Sequence, residues 1–570
     1  MNRRPLVPAV SAAVSRRRSR IFPLSSRWVD AGLFFGLVAV LGGCQPDPVL
    51  GAQGRTEPAV VTGTPEDLPT VVINEVQAKN DSTWQGADFG TPDWVELYNW
   101  GDAAVDLDRL VLFDRSGAQW QPESGSLAAG EILFLTSGEE GQLPFGIGSD
   151  GEVLTLLGDG SQIDILELGE LGADLSMARF PDGGDWFETA TPSPEAPNLE
   201  PSETLDPRDG VFTKDRILRI DVTLTPEAYN TMNDWSEREV PCELDVDGFH
   251  YESVSIRLKG SASFDLMDGK PAFKIDFNEY VPGTKFRNLK AIMLNNGNVM
   301  DPTRVRDHIT YSLARNVGLA APRVGWVELY VNDTYYGIYM NIETHDDVMM
   351  DTYFPSQPDG LLFEPQWNSA YDFGLNRIDF DLEEGPDILP TDSVKSMERL
   401  DALVQGPATD ANIAEMWEVL DRDFLYYMAW EGVINHADGY RAPNNYRFYV
   451  NGDTHKVHFI PAGAEWTWDF AVQPWWFGGK VAQFCTQNAG CEREYAEALL
   501  EVAQEVEDMD LAQEFADISA WLDPVIQQDP RSPHGASIIA NARASTTTRI
   551  AQNPSDIRQE VCTRYPSLCP

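Results

Sequence analysis

Residues 435–470 read NHADGYRAPNNYRFYVNGDTHKVHFIPAGAEWTWDF and combine a polar loop with two strand-like runs. The stretch opens with a His-x-Asp that contains Asp438, continues with the amides Asn444 and Asn445, and closes in an acidic aromatic turn at Asp469. The two runs between these points alternate apolar and polar side chains, which is typical of β-strands. The stretch therefore predicts a β-hairpin with polar ends. These residues alone allow either a metal and nucleotide site or a hairpin with ordinary polar turns.

Length and charge restrict the class of protein. The chain has 570 residues, of which 42% are hydrophobic and 11% aromatic, so it is long enough for two to four domains with ordinary cores. The formal net charge is −48. A nucleic-acid-binding protein needs a basic excess to neutralise phosphates, so we expect no nucleic-acid partner. A surface this acidic suits solubility, or divalent cations held outside the cytoplasm.

The first 43 residues have the pattern of an export signal. The basic run SRRRSR precedes the apolar run AGLFFGLVAVL, which is too short for a membrane span, and then Leu-Gly-Gly-Cys ends at Cys44. Leu-Gly-Gly-Cys resembles the lipobox of bacterial lipoproteins, whose Cys is lipidated and becomes the new N-terminus. We therefore expect a lipid-anchored protein of the bacterial cell envelope, on the outer membrane or cell surface, with an ordinary signal peptide as the alternative. Residues 44–69 are rich in Pro, Gly and Thr and predict a disordered tether.

Residues 70–198 consist of short strand-like runs between Gly, Asp and Pro turns, which predicts a β-sandwich. The motifs INE, DWVELYN, SMARFPDG and TPSPEAPN resemble the lamin-tail domain of bacterial surface proteins. The resemblance implies an immunoglobulin-like sandwich without enzymatic chemistry. We expect Trp94 and Tyr98 in its core. We expect Glu75, Asp93 and Glu96 at turns and sheet edges, with a metal or ligand site as the alternative.

The pattern changes along the rest of the chain. A Pro-rich acidic stretch at 199–211 predicts a linker, and residues 212–570 pass from strand-like runs to helical spacing. The strand-like half contains one predicted helix at 302–317 and a hairpin with Asn332-Asp333 at its turn. Apolar spacing near 3.6 predicts further helices at 394–404, 411–436 and 493–527. This order predicts a two-lobed α+β domain whose ligand site lies in the cleft between the lobes.

Four cysteines near the C-terminus have disulfide spacing. Cys485 with Cys491, and Cys562 with Cys569, predict short disulfide loops in an oxidising compartment. Zinc is the alternative, but neither pair has C-x-x-C spacing and the chain has only seven His. Cys242 is left over as a small buried hydrophobic residue.

A series of motifs between 212 and 480 carries a second family likeness. They are SIRLKGSASF, KPAFKIDF, the run from NLKAIMLNN to GLAAPR, ELYVNDTYYGIYMNIE, and HADGYRAPNNYRFY with HFIPAGAEW. In this order they resemble the CotH family of spore-coat-type kinases. The resemblance implies an atypical protein-kinase-like fold that binds ATP with Mg²⁺ or Mn²⁺ and phosphorylates Ser or Thr on secreted or surface proteins. A P-loop is not expected, because Gly478-Gly479-Lys480 lacks the first Gly and the final hydroxyl of that motif.

Phosphoryl transfer requires cations over the phosphates, oxygen ligands for Mg²⁺ and a carboxylate that orients the attacking hydroxyl. Asp438 and Asn445 have the order of a kinase catalytic loop, carboxylate first and amide second. We assign the orienting role to Asp438 and a metal-ligand role to Asn445. The alternative is a simple Asp438-Gly439 turn capped by the two Asn residues.

The phosphate-contacting lysine is not decided by the sequence. Lys259, Lys270 and Lys274 are all candidates, and the small-residue loop 260–263 could add backbone N–H groups. These N–H groups are weak evidence, because Gly and Ser also make ordinary turns.

Other charged residues are candidates for the nucleotide site. Arg306, with Arg304 and Asp307 on the predicted helix 302–317, could place a charge toward the cleft, and a solvated helix face is the alternative. Glu343 matches a recurrent Glu of the family and is assigned near the nucleotide, with a plain strand-end acid as the alternative.

The second metal ligand departs from the family pattern. Family members usually read Pro-Trp, a short spacer and Asp, whereas this chain reads PAGAEW and places Glu465 at the acid position. The extra methylene moves the oxygens by ~1.5 Å, and Mg²⁺ tolerates distorted geometry badly. Asp469 is the second choice, with Ala471 replacing the Gly of Asp-Phe-Gly. Without a metal the domain would be a pseudokinase in a surface-binding protein, and a third possibility is a hydrolase that uses Asp438 and Glu465.

Overall fold

A computed structural model of the chain describes residues 68–569 apart from short gaps. The gaps are 88–89, 139–141, 202–204, 215, 234–237, 261–262, 298–299, 366–371, 375–379 and 387. The predicted export signal, Cys44 and the tether as far as residue 67 therefore lie outside the described residues, as do Ser261 and Ala262 of the small-residue loop. Within the described part, no helix is both long and apolar enough to cross a membrane.

The first region is rich in β-strands. They are β1 (Val71–Gln77), β2 (Trp94–Asn99), β3 (Val105–Asp106), β4 (Leu110–Phe113), β5 (Gln119–Trp120), β6 (Ser126–Leu127), β7 (Ile132–Thr136), β8 (Glu152–Gly158), β9 (Ser161–Leu168), β10 (Ser176–Phe180) and β11 (Asp185–Thr189). Two sheets, β11-β10-β1-β2-β7 and β5-β4-β8-β9, share one hydrophobic core. Burial alternates along β8 with the two-residue period that the sequence shows. The predicted β-rich N-terminal region is confirmed, and its immunoglobulin-like character stays a prediction.

Two glutamates of this region are buried, which corrects their predicted place at turns and edges. Glu75 and Glu96 are 0% exposed and face each other on the adjacent central strands β1 and β2. The segment 190–198 covers them, since the Ser193 hydroxyl donates to Glu75 at 3.0 Å and the Glu195 N–H donates to Glu96 at 2.7 Å. Burial raises the pKa of Glu75 to about 7. Burial, and then Glu75 itself, raise the pKa of Glu96 to about 9.

The next part of the chain forms a closed barrel. Its elements are β12 (Leu218–Thr223), α1 (Pro226–Met232), β13 (Val240–Val246), β14 (Phe249–Lys259), β15 (Ala272–Asp276), β16 (Ala291–Asn295), α2 (Arg306–Asn316), β17 (Val324–Val331) and β18 (Thr334–Ile342). The strands follow the order β12-β13-β14-β15-β16-β18-β17, and parallel pairing of β12 with β17 closes the ring. The predicted turn between β17 and β18 is confirmed, because Asn332 and Asp333 have φ values of 47° and 61°.

The last part is mainly helical. Its elements are α3 (Asp347–Tyr353), β19 (Leu361–Pro365), β20 (Phe380–Glu384), α4 (Thr391–Val404), α5 (Asp410–Val419), α6 (Asp423–Ile434), β21 (Tyr446–Val450), β22 (Val457–Pro461), α7 (Lys480–Thr486), α8 (Ala489–Asp508), α9 (Leu511–Gln528) and α10 (Ala536–Arg564). The strands form one sheet, β20-β19-β21-β22. Its core includes Trp326 and Met340 from β17 and β18, so the barrel packs directly on it. The predicted mixed α/β character of the C-terminal region is confirmed, and its division into two lobes stays a prediction.

Two helices that were predicted as continuous are divided. The predicted helix 411–436 is α5 and α6, separated where Leu420 takes an extended conformation and bridges to Val457 on β22. The predicted helix 493–527 is α8 and α9, which meet at Asp510 in a left-handed conformation. Both members of each pair bury a face in the same core. Apolar spacing therefore continues across each break and could not reveal it.

The two predicted disulfides are confirmed. Cys485 and Cys491 join α7 to α8 with an S–S distance of 2.03 Å, and Cys562 bonds Cys569 at the end of the chain at 1.95 Å. Cys242 on β13 is a buried free thiol, as expected. Both bonds lie in the helical lobe and tie short neighbouring segments together.

Candidate functional site

The loop 435–445 joins α6 to β21 and carries the predicted carboxylate. The two Asp438 carboxylate oxygens accept from the side-chain amides of Asn444 and Asn445, at 2.9 and 3.0 Å. The structure thus brings Asp438 and Asn445 together. Because Asn445 uses its NH₂ group in this contact, its carbonyl oxygen is the atom that could bind a cation.

The turn that carries Glu465 is joined to this loop. The turn follows β22 in the chain and accepts two hydrogen bonds from the loop. The ring of His436 donates to the Gly463 carbonyl at 2.8 Å, and the Ala437 N–H donates to the Trp466 carbonyl at 3.1 Å. Gly463 has φ 59°, and a Cβ there would lie 2.7 Å from the side chain of Asn445. Glycine is therefore required for both conformation and space. The metal-ligand candidates Asn445 and Glu465 stand on two segments that contact each other directly.

The barrel contributes a lysine to the same place. Lys259, at the end of β14, donates to the Asn295 side-chain oxygen on β16 at 2.6 Å. Burial lowers the pKa of Lys259 to about 8, and the charge of Glu465 opposes this shift more than that of Asp307 does. The acid of the PAGAEW turn is therefore close enough for its charge to act on Lys259. The charges that act most on Lys270 are instead those of Asp529 and Arg304.

Asp307 on α2 was grouped with Arg304 and Arg306 by sequence reasoning, which gave it no role of its own in the site. It is 0% exposed, and no donor among the described residues completes a hydrogen bond to its carboxylate, although the Asn295 amide comes close enough to oppose its pKa shift weakly. Burial, followed by the nearby Glu465, raises the pKa of Asp307 well above its ordinary value. The available signal was its spacing from Tyr311 and Ala314, which places an acid on the buried stripe of the helix.

The alternative of a solvated helix face is corrected for all three charged residues at 304, 306 and 307. Arg306 is 1% exposed, and its guanidinium donates to both carboxylate oxygens of Asp469, at 2.5 and 2.9 Å. Its Nε also donates to Thr546 on α10 at 3.0 Å. Arg306 is therefore committed to internal partners rather than to a nucleotide. Asp469, the second choice for the metal, is held in an ion pair by the same contact.

Lys270 is likewise placed elsewhere. Its ammonium group is buried and donates to Asp529 at 2.7 Å, and Arg304 reaches the same carboxylate oxygen at 3.1 Å. Lys274 on β15 lies 3.4 Å from Asp276 and is part-exposed. Lys259 is the candidate whose charge interacts with that of Glu465 in the PAGAEW turn.

Glu343 does not reach the cleft loop either. Its carboxylate, 2% exposed, accepts from Arg323 at 2.6 Å and lies 3.3 Å from Arg208 of the segment that enters the barrel. These two cations neutralise it. The contacts favour a structural role at the barrel entrance, and the assignment of Glu343 to a place near the nucleotide stays a prediction.

Another group of metal-ligand type lies outside the cleft. Among the described residues, Asp421, Asp423 and His458 place ligand atoms within 4.8 Å of one another. His458 pairs with Asp423 at 2.5 Å, which accounts for the group without a metal.

Comparison with known proteins locates the likeness on the same part of the chain. Residues 256–522, from β14 to α9, match the family model described as CotH kinase protein. No curated protein matches the chain. The solved structure of the Helicobacter pylori proinflammatory kinase CtkA has 10% identity and a TM-score of 0.27, over 52% of this chain and 94% of that one. A chain of the solved Shewanella oneidensis MR-1 toxin–antitoxin complex of HipA, HipB and operator DNA has 11% identity and a TM-score of 0.24, over 46% of this chain and 57% of that one.

The matched segment includes the five residues of the candidate site. Lys259, Asp307, Asp438, Asn445 and Glu465 all lie between 256 and 522. The segment 256–522 of this chain is thus similar to the CotH kinase family, and it contains the candidate site.

Proposed function

We propose that the chain transfers the γ-phosphoryl group of ATP to Ser or Thr of a protein in the cell envelope or on the cell surface. The observation that carries the proposal is that the carboxylate–amide loop of Asp438 and Asn445 packs on the turn of Glu465, whose charge acts on one lysine and one buried carboxylate. Lys259 comes from barrel strand β14, and Asp307 comes from α2. Phosphoryl transfer needs this set and little else from the protein.

The residues present suit a divalent cation. Burial, and then the charge of Glu465, raise the cost of ionising Asp307, and Asp307 is a buried carboxylate without a completed hydrogen bond among the described residues. A cation beside them would offset that cost. Mg²⁺ or Mn²⁺, when bound, would neutralise charge on the phosphates. The Asn445 oxygen and the Glu465 carboxylate would hold it, with Asp307 as a further ligand or as the partner of Lys259.

The remaining roles follow from position. Burial lowers the pKa of Lys259, so its charged form is disfavoured in the free protein. A bound phosphate group would stabilise that charged form. Asp438 keeps both oxygens on neutral amides, which orient the carboxylate without neutralising it. It can therefore accept a hydrogen bond from the attacking hydroxyl. Glu465 replaces the usual Asp with a longer side chain, and its reach toward Lys259 and Asp307 supports its role.

Binding and transfer can be tested in sequence. We expect MgATP or MnATP at millimolar concentration to raise the melting temperature of the purified full chain, because a ligand selective for the folded state stabilises it by mass action. Labelled γ-phosphate should then appear on an envelope-protein acceptor. Asp438→Asn should abolish transfer, and Asp453→Asn at the exposed hairpin tip is the matched control. No thermal shift with either metal would contradict the proposal, and a shift without transfer would indicate a catalytically silent, nucleotide-binding surface protein.

The location of the protein is part of the same proposal. Export and lipidation at Cys44 would place the domain outside the cytoplasm, in agreement with the two disulfides. A Cys44→Ala chain should lose its partition into membranes, whereas Cys242→Ala should not change it. If the Cys44→Ala chain stayed with the membrane fraction, lipid anchoring at that residue would be refuted.

A further inference from the structure

Glu431 contacts both ends of the loop that carries Asp438. It lies in the last turn of α6 and is 1% exposed. Its two carboxylate oxygens accept one backbone N–H each, from Tyr440 at 2.7 Å and from Arg441 at 3.0 Å. Its backbone carbonyl accepts from the N–H of His436 at 3.1 Å. One residue thus binds the chain just before and just after Asp438.

The same carboxylate explains the glycine that follows Asp438. A Cβ at Gly439 would lie 2.1 Å from Glu431 Oε1 and 2.2 Å from His436 Nδ1, which no side chain can tolerate. The φ of Gly439 is not in the positive range that favours glycine. Position 439 is therefore glycine because the carboxylate of Glu431 occupies the space that a Cβ would need.

The contact continues to the turn of the other metal-ligand candidate. His436 lies 3.4 Å from the Glu431 carboxylate on one side of its ring and donates to the Gly463 carbonyl on the other. Gly463 packs on Asn445 and precedes Glu465 by two residues. Glu431, His436 and Gly463 therefore form a continuous link from α6, through the Asp438 loop, to the Glu465 turn.

We propose that Glu431 is a positioning residue that sets the orientation of Asp438 relative to the Glu465 turn. Backbone N–H donors to an ionised carboxylate are strong and directional, so they fix the loop without occupying the cleft. The catalytic consequence rests on the proposed function, whereas the ordering of the loop does not. The side chain of Tyr440 gives the loop a second, separate attachment, through its hydroxyl contact with Asp372 at 2.9 Å.

Glu431→Gln is the first test, because the amide keeps the shape but places an NH₂ group opposite a backbone N–H. We expect hydrogen exchange at the amides of Tyr440 and Arg441 to rise roughly tenfold or more, since each loses a carboxylate acceptor. We expect kcat to fall roughly 100-fold, with the KM for ATP within about threefold, because a misplacement near 1 Å costs that much in chemistry and little in binding. A purely structural defect would instead change KM and kcat together.

A second variant keeps the test decisive if Glu431→Gln does not fold. Gly439→Ala keeps the charge of Glu431 and displaces its carboxylate from the opposite side, so it should give the same two results. Glu492→Gln is the matched control: Glu492 is also buried on a helix, but it accepts from Tyr565 at 2.7 Å in the helical tail and should leave exchange at 440 and 441 unchanged.

The outcomes separate the two proposals. Unchanged exchange at 440 and 441 in the folded variants overturns the positioning role, whatever the activity of the parent chain. If the parent chain shows neither ATP binding nor transfer, the proposed function fails, and the exchange result alone decides whether Glu431 orders the loop. Raised exchange with an unchanged kcat in an active enzyme also overturns the positioning role.

Discussion

Lys259 and Lys270 stand at the same end of the β14–β15 pair, and their partners differ. Lys259 is opposite Ala272 in the ladder, and Lys270 precedes that residue by two positions. Burial lowers the pKa of Lys259 to about 8 and that of Lys270 to about 7. Lys270 donates to the carboxylate of Asp529, whereas Lys259 donates to a neutral amide.

This difference separates a structural charge from a functional one. A buried cation that is fully paired inside the protein has no remaining attraction for a ligand. A cation that touches only an amide, with two carboxylates acting from further away, keeps that attraction. Both lysines are buried, so burial does not distinguish them. The hydrogen-bond partner does, because it is a carboxylate for Lys270 and an amide for Lys259.

The largest expected effect comes from removing the partner of Lys270. Asp529→Ala leaves two buried cations, Lys270 and Arg304, without their shared carboxylate. Breaking a buried ion pair by deleting one member costs about 3–5 kcal/mol, and we expect a loss of that size in the free energy of unfolding. Urea denaturation of the full chain measures it. Asp523→Ala, which breaks the more exposed pair with Arg543, should cost less than about 1 kcal/mol. Equal losses in both variants would contradict the structural role of Lys270.

The second effect falls on activity rather than stability. Lys259→Met removes the cation that faces the Glu465 turn, and we expect phosphoryl transfer to fall roughly 100-fold or more. The free energy of unfolding should change by less than about 1 kcal/mol, because Lys259 has no buried carboxylate partner in hydrogen-bond contact. Lys274→Met, at a part-exposed lysine of β15 that pairs with Asp276, is the control for kinetics. Transfer that survives Lys259→Met would move the phosphate contact to another residue.

A third, smaller effect is expected at Asp307. Burial and Glu465 make its ionised form unfavourable, so Asp307→Asn should raise the stability of the metal-free chain by about 1 kcal/mol while weakening the response to Mg²⁺. The raised pKa of Asp307 also determines how the stability of the metal-free chain changes with pH. The folded state holds the proton after the unfolded state has released it, so stability falls as pH rises above the ordinary Asp range, and the variant should reduce this fall. Thermal melts at pH 4, 6 and 8 with and without Mg²⁺ test both points. A destabilised, still metal-responsive variant would contradict them.

The smallest effect concerns the pH dependence of nucleotide binding. Lys259 has a lowered pKa of about 8 before a nucleotide is bound, so it loses its charge as pH rises through that value. We expect ATP affinity to weaken above pH 8, by less than tenfold per pH unit. Lys259→Arg, which stays charged, should make the affinity independent of pH between 7 and 9. Isothermal titration at several pH values measures this, and parallel curves for both proteins would remove Lys259 from the phosphates.

Much of this organisation could be predicted from local sequence. The alternation of β8, the Asn332-Asp333 turn and the cysteine spacings depend on residues close together in the chain, and the structure agrees with them. The proximity of Asp438 and Asn445 also depends on one short loop.

The remaining features depend on distant contacts. Lys270 could be removed from the candidates only by knowing Asp529, 259 residues away in sequence. Assigning Asp307 to the candidate site required knowing which face of α2 packs against the core. Closure of the barrel depends on β12 meeting β17, which no local pattern shows.

The position of Asp529 has a consequence for how far the module extends. The family likeness ends at residue 522, yet the acid that neutralises Lys270 and Arg304 and the α10 threonine that contacts Arg306 come later in the chain. A domain boundary placed where the family likeness ends would remove Asp529, the carboxylate that pairs with Lys270 and Arg304. The physically self-sufficient unit therefore continues into α10, and trimming, swapping or transplanting this domain requires the C-terminal helix to travel with it.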